Sequence, residues 1–430
     1  MRAGIFFSLV TLVFLGCVQP FQTFSKIPPG RWRGVLLLDR MPVMKYGDDR
    51  DVVKKFDIES ELPFNFDISY DQDSMIVMTI INGEERIEVK DISFGRDIHT
   101  QKDTVIINFP VYDTYIKAIY EDGVMEGDWI VNYKDHYAIP FKAKHGDNKR
   151  FDIIPSGEIK DFSGSWACTF EPDSPDSYPA QGYFKQDGGQ VTGTFMTETG
   201  DYRYLDGVVS GSKMYLSAFD GAHAFLFNAK MLNPNEVTGS FRSGSHYTTT
   251  WIGHKTDSLS LKDPYALTTY KKNQAVDFSF INTEGETVRL SDQKYQGKPK
   301  IIQIFGTWCP NCMDETVFLQ DYLNNKDSKD IALISIGFER YEDTLRSLNA
   351  LKRFKNQMNL DTEVLYGGYY KRDLAKQALP WLDQLVSYPT LILLDKNNVI
   401  QQVHTGFSGP ATPNYTAFKQ EFEENLNKIK

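Results

Sequence analysis

The residues of this sequence best suited to chemistry are two cysteines separated by two residues, Cys309 and Cys312. An apolar run over residues 301–305 precedes them, and a pattern typical of a helix follows them. This order predicts a strand that ends just before two thiols at the first turn of a helix. A helix N-terminus favours an anion. Cys309 is therefore expected to act as a nucleophilic thiolate, and Cys312 to resolve the mixed disulfide that results.

Other uses of such a pair are less favoured. A structural zinc site would need two further ligands, and the sequence has no second Cys-x-x-Cys or Cys/His pair to supply them. An inert disulfide would close a very short loop, which gives little entropic stabilisation. His136, His223 and His246 are not spaced as a ligand set, and no nicotinamide or flavin fingerprint occurs, so no metal or cofactor is expected.

The first 17 residues have the pattern of an export signal. An apolar run over residues 5–15 is too short to span a bilayer and is followed by Gly16 and Cys17. This ending resembles a bacterial lipobox, in which the cysteine becomes the lipidated first residue. Residues 1–17 are therefore predicted to be a lipoprotein-type signal peptide, with Cys17 anchoring the chain to a membrane surface. Plain cleavage without a lipid is the alternative.

Export would place the protein in the bacterial cell envelope, facing the periplasm, where disulfides are permitted. A formal charge of −10 argues against nucleic-acid binding. At 430 residues the chain is expected to form two or three domains. Cys168 lies in a strand-like alternation and is expected to be a small buried hydrophobic residue.

Residues 27–256 have the pattern of antiparallel β-structure. Short runs rich in Val, Ile, Tyr, Phe and Thr alternate with Gly, Asn and Asp, which are typical of hairpin turns. The region looks duplicated, because a Gly-x-Trp triplet opens each half, at Trp32 and at Trp166. The prediction is a first β-module over residues 27–146 and a second over 158–256, each a small antiparallel barrel or sandwich.

From about residue 270 the pattern changes to alternating strands and helices, which predicts an α/β domain over residues 270–430. Strands are predicted at 277–281, 287–290, 300–305, 331–337, 390–394 and 399–404. Helices are predicted after Cys312, at 342–358, at 372–381 and at the C-terminus. Two segments rich in glycine and aromatic residues, 365–370 and 406–410, are predicted to be loops. The fold class is therefore multi-domain: two all-β modules followed by one α/β domain.

Residues 270–430 resemble the thioredoxin-like domain of TlpA/ResA-type disulfide reductases, which are envelope proteins. The matching stretches are Asp277-Phe278-Ser279-Phe280, Leu290-Ser291-Asp292, Gly297-Lys298-Pro299, Phe305-Gly306-Thr307-Trp308-Cys309 and Ser387-Tyr388-Pro389-Thr390, with Glu315 after the second cysteine. The resemblance implies thiol–disulfide exchange with protein clients, in the reductase direction. Because the sequence has no nucleotide-cofactor motif, the electrons would come from a membrane or envelope donor.

The resemblance also assigns roles around the cysteine pair. Pro389 would be the cis proline that faces the disulfide, and with Tyr388 it would leave nearby backbone free to pair with substrate. Trp308 and Pro310 would belong to the rim that substrate meets.

Several positions depart from the family pattern. Gln303 occupies the place of the buried aspartate that assists proton transfer in thioredoxin, and Arg289 that of a glutamate in ResA-like proteins. Pro310 and Asn311 replace the usual Gly-Pro. Since residues between the cysteines affect the reduction potential, an oxidase or isomerase direction stays open.

A different class of function is also open. The β-modules could bind a ligand or partner, with the cysteine pair acting as a redox sensor. A thiol peroxidase is less favoured, because that active site has a threonine three residues before a single reactive cysteine, whereas Trp308 adjoins a pair.

Overall fold

The computed structural model describes residues 26–38, 60–154, 156–256, 261–325 and 330–429. The predicted signal peptide, residues 1–17, and the predicted lipidation site, Cys17, lie outside these ranges. Within them, no helix is both long enough and apolar enough to cross a membrane.

Within the described residues, the first β-sheet contains nine antiparallel strands. They are β1 (Gly30–Leu37), β2 (Glu61–Tyr70), β3 (Ile76–Asn82), β4 (Glu85–Val89), β5 (Ile92–Arg96), β6 (Asp103–Phe109), β7 (Thr114–Glu121), β8 (Val124–Val131) and β9 (Ala138–His145). Their order in the sheet is β4-β3-β2-β1-β9-β8-β7-β6-β5. The first and last strands of this segment therefore pair with each other at the centre of the sheet.

The second β-sheet has nine strands in the part of the chain that the structure describes. They are β10 (Gly164–Phe170), β11 (Tyr178–Asp187), β12 (Gln190–Thr197), β13 (Gly200–Asp201), β14 (Leu205–Ser210), β15 (Lys213–Phe219), β16 (Ala224–Asn233), β17 (Glu236–Ser243) and β18 (Tyr247–Lys255). Their order is β11-β10-β18-β17-β16-β15-β14-β12-β13. An additional pairing of β11 with β12 closes the sheet into a barrel.

The two sheets are built alike around their opening tryptophans. β10 lies between β11 and β18 as β1 lies between β2 and β9. The indole N–H of Trp32 donates to the carbonyl oxygen of Pro28 at 3.2 Å, and that of Trp166 donates to the carbonyl oxygen of Phe162 at 2.8 Å. In each case the acceptor lies four residues before the tryptophan. The predicted fold class of two antiparallel β-modules is confirmed, while the domain boundaries stay predictions.

The two β-modules share part of their core. Phe219, in β15 of the second module, packs against Phe64 of the first at a ring-centroid distance of 4.5 Å and against Trp129 at 5.3 Å. All three rings are almost completely buried. Burial of large apolar rings between the modules favours a fixed arrangement of one module on the other.

The C-terminal region forms a mixed sheet of seven strands within the described residues. They are β19 (Ser279–Asn282), β20 (Thr287–Arg289), β21 (Lys300–Phe305), β22 (Ala332–Glu339), β23 (Glu363–Tyr369), β24 (Thr390–Leu394) and β25 (Ile400–Thr405), in the order β20-β19-β23-β22-β21-β24-β25. The helices are α1 (Pro264–Leu267), α2 (Pro310–Asn325), α3 (Thr344–Gln357), α4 (Arg372–Ala378) and α5 (Tyr415–Ile429). This arrangement confirms the predicted α/β domain of the thioredoxin type.

One predicted loop is wrong. Residues 365–369 of this segment belong to strand β23, which pairs in parallel with β22 and antiparallel with β19. Gly367 of this strand leaves space for a neighbouring ring, because a Cβ atom there would lie 2.6 Å from the ring of Phe338. The other predicted loop, 406–410, contains neither helix nor strand.

Candidate active site

The cysteine pair lies where the central strand β21 passes into helix α2. All six residues of β21 are buried. Pro310 is the first residue of α2, a position whose backbone N–H makes no intrahelical hydrogen bond, so a proline is tolerated there. Cys309 and Cys312 form a disulfide with a Cα–Cα distance of 5.2 Å. Cys309 is 8% exposed and Cys312 is completely buried, so a substrate could reach only the first sulfur.

The backbone around Cys309 can stabilise a negative charge on its sulfur. The amide N–H of Cys312 donates to Sγ of Cys309 at 3.2 Å. This bond comes from the first turn of α2, where unpaired N–H groups and the helix dipole both favour an anion. The geometry is compatible with a nucleophile at Cys309 and a resolving residue at Cys312, and these roles stay predictions.

The residues predicted to form the rim surround this sulfur. The peptide bond between Tyr388 and Pro389 is cis, and the carbonyl oxygen of Tyr388 lies 3.8 Å from Sγ of Cys309. The indole of Trp308 meets the ring of Tyr388 edge-on, with centroids 5.5 Å apart, and its N–H donates to the carbonyl oxygen of Phe338 at 3.0 Å. Tyr388 in turn donates its hydroxyl hydrogen to the carbonyl oxygen of Tyr370 at 2.9 Å.

A buried carboxyl group lies behind the cysteines. Nε2 of Gln303 donates to Oε2 of Glu315 at 3.0 Å and approaches the carbonyl oxygen of Cys312 at 3.4 Å. Both side chains are completely buried. Burial raises the pKa of Glu315 to about 8, against a smaller opposing effect of the Gln303 hydrogen bond. Gln303 cannot titrate, but it connects the active-site turn to a carboxyl group that is protonated at neutral pH.

A second buried carboxyl group was not identified from the sequence. Glu339 ends strand β22 and accepts hydrogen bonds from the backbone N–H and the hydroxyl of Thr307, at 3.0 and 2.7 Å. Burial raises its pKa to about 7. Thr307 comes two residues before Cys309, so Glu339 fixes the strand end that presents the nucleophile. The only signal for it in the sequence is an acidic residue at the end of an apolar run.

One largely buried arginine of the second β-module contacts the cysteine turn. Arg203 of the second module donates to the carbonyl oxygen of Pro310 at 3.3 Å and lies 3.2 Å from a carboxylate oxygen of Asp314 in α2. It also pairs with Glu85 of the first module. Asp314 is partly buried, and the loss of solvent raises the pKa of its carboxyl group to about 7 although Arg203 opposes the shift. A single guanidinium thus joins all three parts of the chain beside the active site.

Two further contacts join the second module to the thioredoxin-like region. The side-chain amide of Asn311 donates to the backbone oxygen of Asp201 at 3.2 Å. The carboxylate of Asp201 accepts the N–H of Gly409 at 2.6 Å. Asn311 lies between the two cysteines, so the second module touches the active-site turn itself.

A cavity of about 400 Å³ opens over Cys309 between the three parts of the chain. The first module contributes Tyr133, Lys134 and Tyr137, and the second contributes residues of β13, β16 and β17. Trp308, Arg340 and Tyr388 form the side that belongs to the thioredoxin-like region. His223 and His246 also line the cavity, and no set of three or more candidate metal ligands occurs among the described residues.

Fold and site together define a thioredoxin-like redox domain. Residues 272–403 match the model of the AhpC/TSA family. The chain is 27% identical over 154 residues to the thioredoxin-like protein YneN of Bacillus subtilis, covering 36% of this chain and 77% of that protein. It is 25% identical over 158 residues to the thiol-disulfide oxidoreductase ResA of Geobacillus kaustophilus, covering 36% and 76%.

Among solved structures, a thiol:disulfide interchange protein of the thioredoxin family from Chlorobium tepidum is similar to this chain at 19% identity. That match covers 38% of this chain and 97% of the other, with a TM-score of 0.28. The predicted resemblance of the C-terminal region to ResA-type proteins is confirmed by the family match and by the curated relatives.

Proposed function

We propose that the protein is a thiol–disulfide oxidoreductase that reduces disulfides in protein clients through Cys309 and Cys312. The observation that carries this proposal is the accessible sulfur of Cys309, which accepts the Cys312 N–H at the start of α2 and faces the Tyr388 carbonyl. The names of the curated relatives support the same chemistry.

The reaction begins with both cysteines reduced. The thiolate of Cys309 attacks one sulfur of a client disulfide, the S–S bond breaks, and the other client sulfur leaves as a thiolate. Cys312 then loses its proton and attacks Sγ of Cys309, which releases the second client thiolate and forms the Cys309–Cys312 disulfide. Two electrons have passed to the client. A dithiol donor in the membrane or envelope restores them and is itself oxidised.

The location proposed for this reaction is the bacterial cell envelope, with the chain anchored by a lipid on Cys17. The support for it is the apolar run and Gly16-Cys17 ending of the N-terminus. A Cys17→Ser variant expressed with its own signal should lose tritiated palmitate labelling and leave the membrane fraction. Retention of the label would overturn the assignment.

The direction of electron flow is tested by the reduction potential of the cysteine pair. The soluble protein is equilibrated in glutathione or dithiothreitol buffers, and its thiols are trapped and counted. A Cys168→Ala variant removes the remaining thiol and serves as the background control. A potential near or below about −270 mV supports a reductase, whereas one near about −120 mV would make the protein an oxidant or isomerase.

The competing hypothesis makes the β-modules the functional part and the cysteine pair a redox sensor. It has one observation in its favour, since both modules line the cavity over Cys309. A sensor changes oxidation state without turning over clients. Catalytic reduction of insulin by the wild type, lost in a Cys309→Ser variant, would therefore argue for the oxidoreductase.

A further inference from the structure

The cavity over Cys309 restricts what can reach the sulfur. Its walls come from both β-modules as well as from the thioredoxin-like region, and Pro310 beside the nucleophile is buried. A volume of about 400 Å³ is within the range of small-ligand sites. A folded client surface cannot enter a space of this size, whereas a few residues of extended chain can.

One wall of the cavity is cationic. The guanidinium of Arg340 lies 4.2 Å from the ring centroid of Trp308 and 5.2 Å from that of Tyr133. Nζ of Lys134 lies 4.4 Å from the ring centroid of Tyr137 and 3.4 Å from Nδ1 of His246. Within the described ranges, neither Arg340 nor Lys134 has a carboxylate within hydrogen-bonding reach.

The cationic groups affect one another. Burial, reinforced by the charge of Arg340, lowers the pKa of Lys134 to about 8. Burial lowers the pKa of His246 to about 4, with further contributions from Lys134 and Arg340. The chain has a formal charge of −10, so this wall is a local concentration of positive charge. A bound anion would reduce the repulsion between its cationic groups.

Two residues that line the cavity carry unused hydrogen-bond donors. Nε of Arg340 and Nε1 of Trp129 are buried, both residues line the cavity, and neither atom has a hydrogen-bond partner in the described part of the chain. The carboxylates nearby are already engaged, since Asp201 accepts from Gly409 and Asp220 lies 3.3 Å from His223. Buried donors without partners are uncommon, and an acceptor on a bound ligand would satisfy these two.

We propose that the cationic wall binds a carboxylate placed next to the reacting disulfide, so that the preferred substrate is an extended peptide segment with an acidic residue beside its cysteine. This inference rests on the proposed oxidoreductase activity and names its substrate class. Arg340 and Lys134 bind the carboxylate, while the peptide sulfur meets Cys309 in the same cavity. The exchange itself follows the same two attacks described above, with electrons supplied by the enzyme dithiol.

The test compares two disulfide-linked dimers of a short peptide, one with glutamate and one with glutamine before the cysteine. Dithiothreitol regenerates the full-length enzyme, and kcat/KM is measured for each peptide above the uncatalysed rate. We expect the wild type to prefer the glutamate peptide about tenfold, as a charge-assisted pair in a partly buried site allows. Equal values for the two peptides would overturn the proposal.

Variants localise the effect. Lys134→Gln and Arg340→Gln should each reduce the glutamate preference to about threefold or less, and Lys134→Glu should turn it into a preference for a lysine-bearing peptide. Lys142→Gln is the matched control, because Lys142 is 58% exposed and pairs with Glu126 away from the cavity. A preference that survives all three changes in the wall would contradict the proposed site.

Two comparison substrates distinguish a wrong substrate class from a wrong function. Oxidised glutathione carries its carboxylates on a small disulfide, so a higher kcat/KM for it than for the glutamate peptide would overturn the choice of a peptide segment. The glutamine peptide tests the activity alone. If it and the glutamate peptide both fail to react while Cys309 is reduced, the proposed function fails; if both react equally, only the substrate inference fails.

Discussion

Replacing Glu315 with glutamine should change how the stability of the thioredoxin-like region depends on pH. Glu315 is completely buried, one of its oxygens accepts from Gln303, and the other has no hydrogen-bond partner within the described residues. Its pKa is raised to about 8 from an ordinary value of 4.5. The folded protein therefore keeps a proton that the unfolded chain loses between these two values. Stability from this group is present below about pH 4.5 and is lost as the pH rises towards 8.

The magnitude follows from the size of the shift. Each pKa unit corresponds to about 1.4 kcal/mol. Between pH 5 and pH 8 the ionisation of this glutamate in the unfolded chain therefore lowers the free energy of unfolding by roughly 3 kcal/mol. The Glu315→Gln variant carries no ionisable group at this position and escapes that loss. Any constant cost of the glutamine amide cancels when its stability relative to wild type is compared at the two pH values. Glu339 and Asp314 are present in both proteins and also cancel.

The measurement must resolve one part of a multi-domain chain. Pulsed hydrogen exchange with mass spectrometry, applied along a urea series, gives the unfolding free energy of peptides covering residues 300–319. The free energy of unfolding of Glu315→Gln, relative to that of the wild type, should increase by about 3 kcal/mol from pH 5 to pH 8. Glu424→Gln, on the exposed face of α5, should show no such growth. Parallel pH profiles for Glu315→Gln and the wild type would refute the raised pKa.

Three further outcomes are expected. Arg203→Gln leaves the partly buried carboxylates of Asp314 and Glu85 without a counter-charge and should destabilise the protein by roughly 3 kcal/mol in calorimetry. Arg31→Gln, which breaks an exposed pair with Asp67, should cost under about 1 kcal/mol. Glu339→Gln should reduce the loss of unfolding free energy between about pH 5 and 7, because the pKa of Glu339 is raised to about 7. The same exchange method measures this change. Cys168, buried and with its pKa raised to about 12, should resist iodoacetamide until the protein unfolds.

The cysteine site could be predicted because its signals are local in the sequence. The apolar run of β21, the two cysteines and the pattern of α2 follow one another without a break, so their order alone indicates a strand–helix junction with thiols at the helix start. The free, buried state of Cys168 was likewise predictable from its position in an alternating strand. Such features depend on neighbours within one element.

Strand β23 could not be predicted in this way. Gly367 and Gly368 suggest a turn, but the strand is stabilised by pairing on both sides, with β22 and with β19. Gly367 is required by the ring of Phe338 on the adjacent strand, and the register of β23 shifts between Gly337 and Phe338 of β22. The partners in β22 lie about thirty residues away in the sequence and those in β19 about 85, so short local patterns carry no information about them.

The same limit explains why the sequence does not predict the contacts between the β-modules and the cysteine turn. These contacts also affect how the function of the β-modules should be tested. Arg203 and Pro310 are separated by 107 positions, and nothing near either residue indicates the other. Deleting residues 27–256 would remove Arg203 from Asp314 and Asp201 from Asn311. Loss of activity in such a truncation would then reflect a disturbed cysteine turn as readily as lost client binding. Substitutions in the cavity wall, at Lys134 above all, leave those contacts intact and separate the two causes.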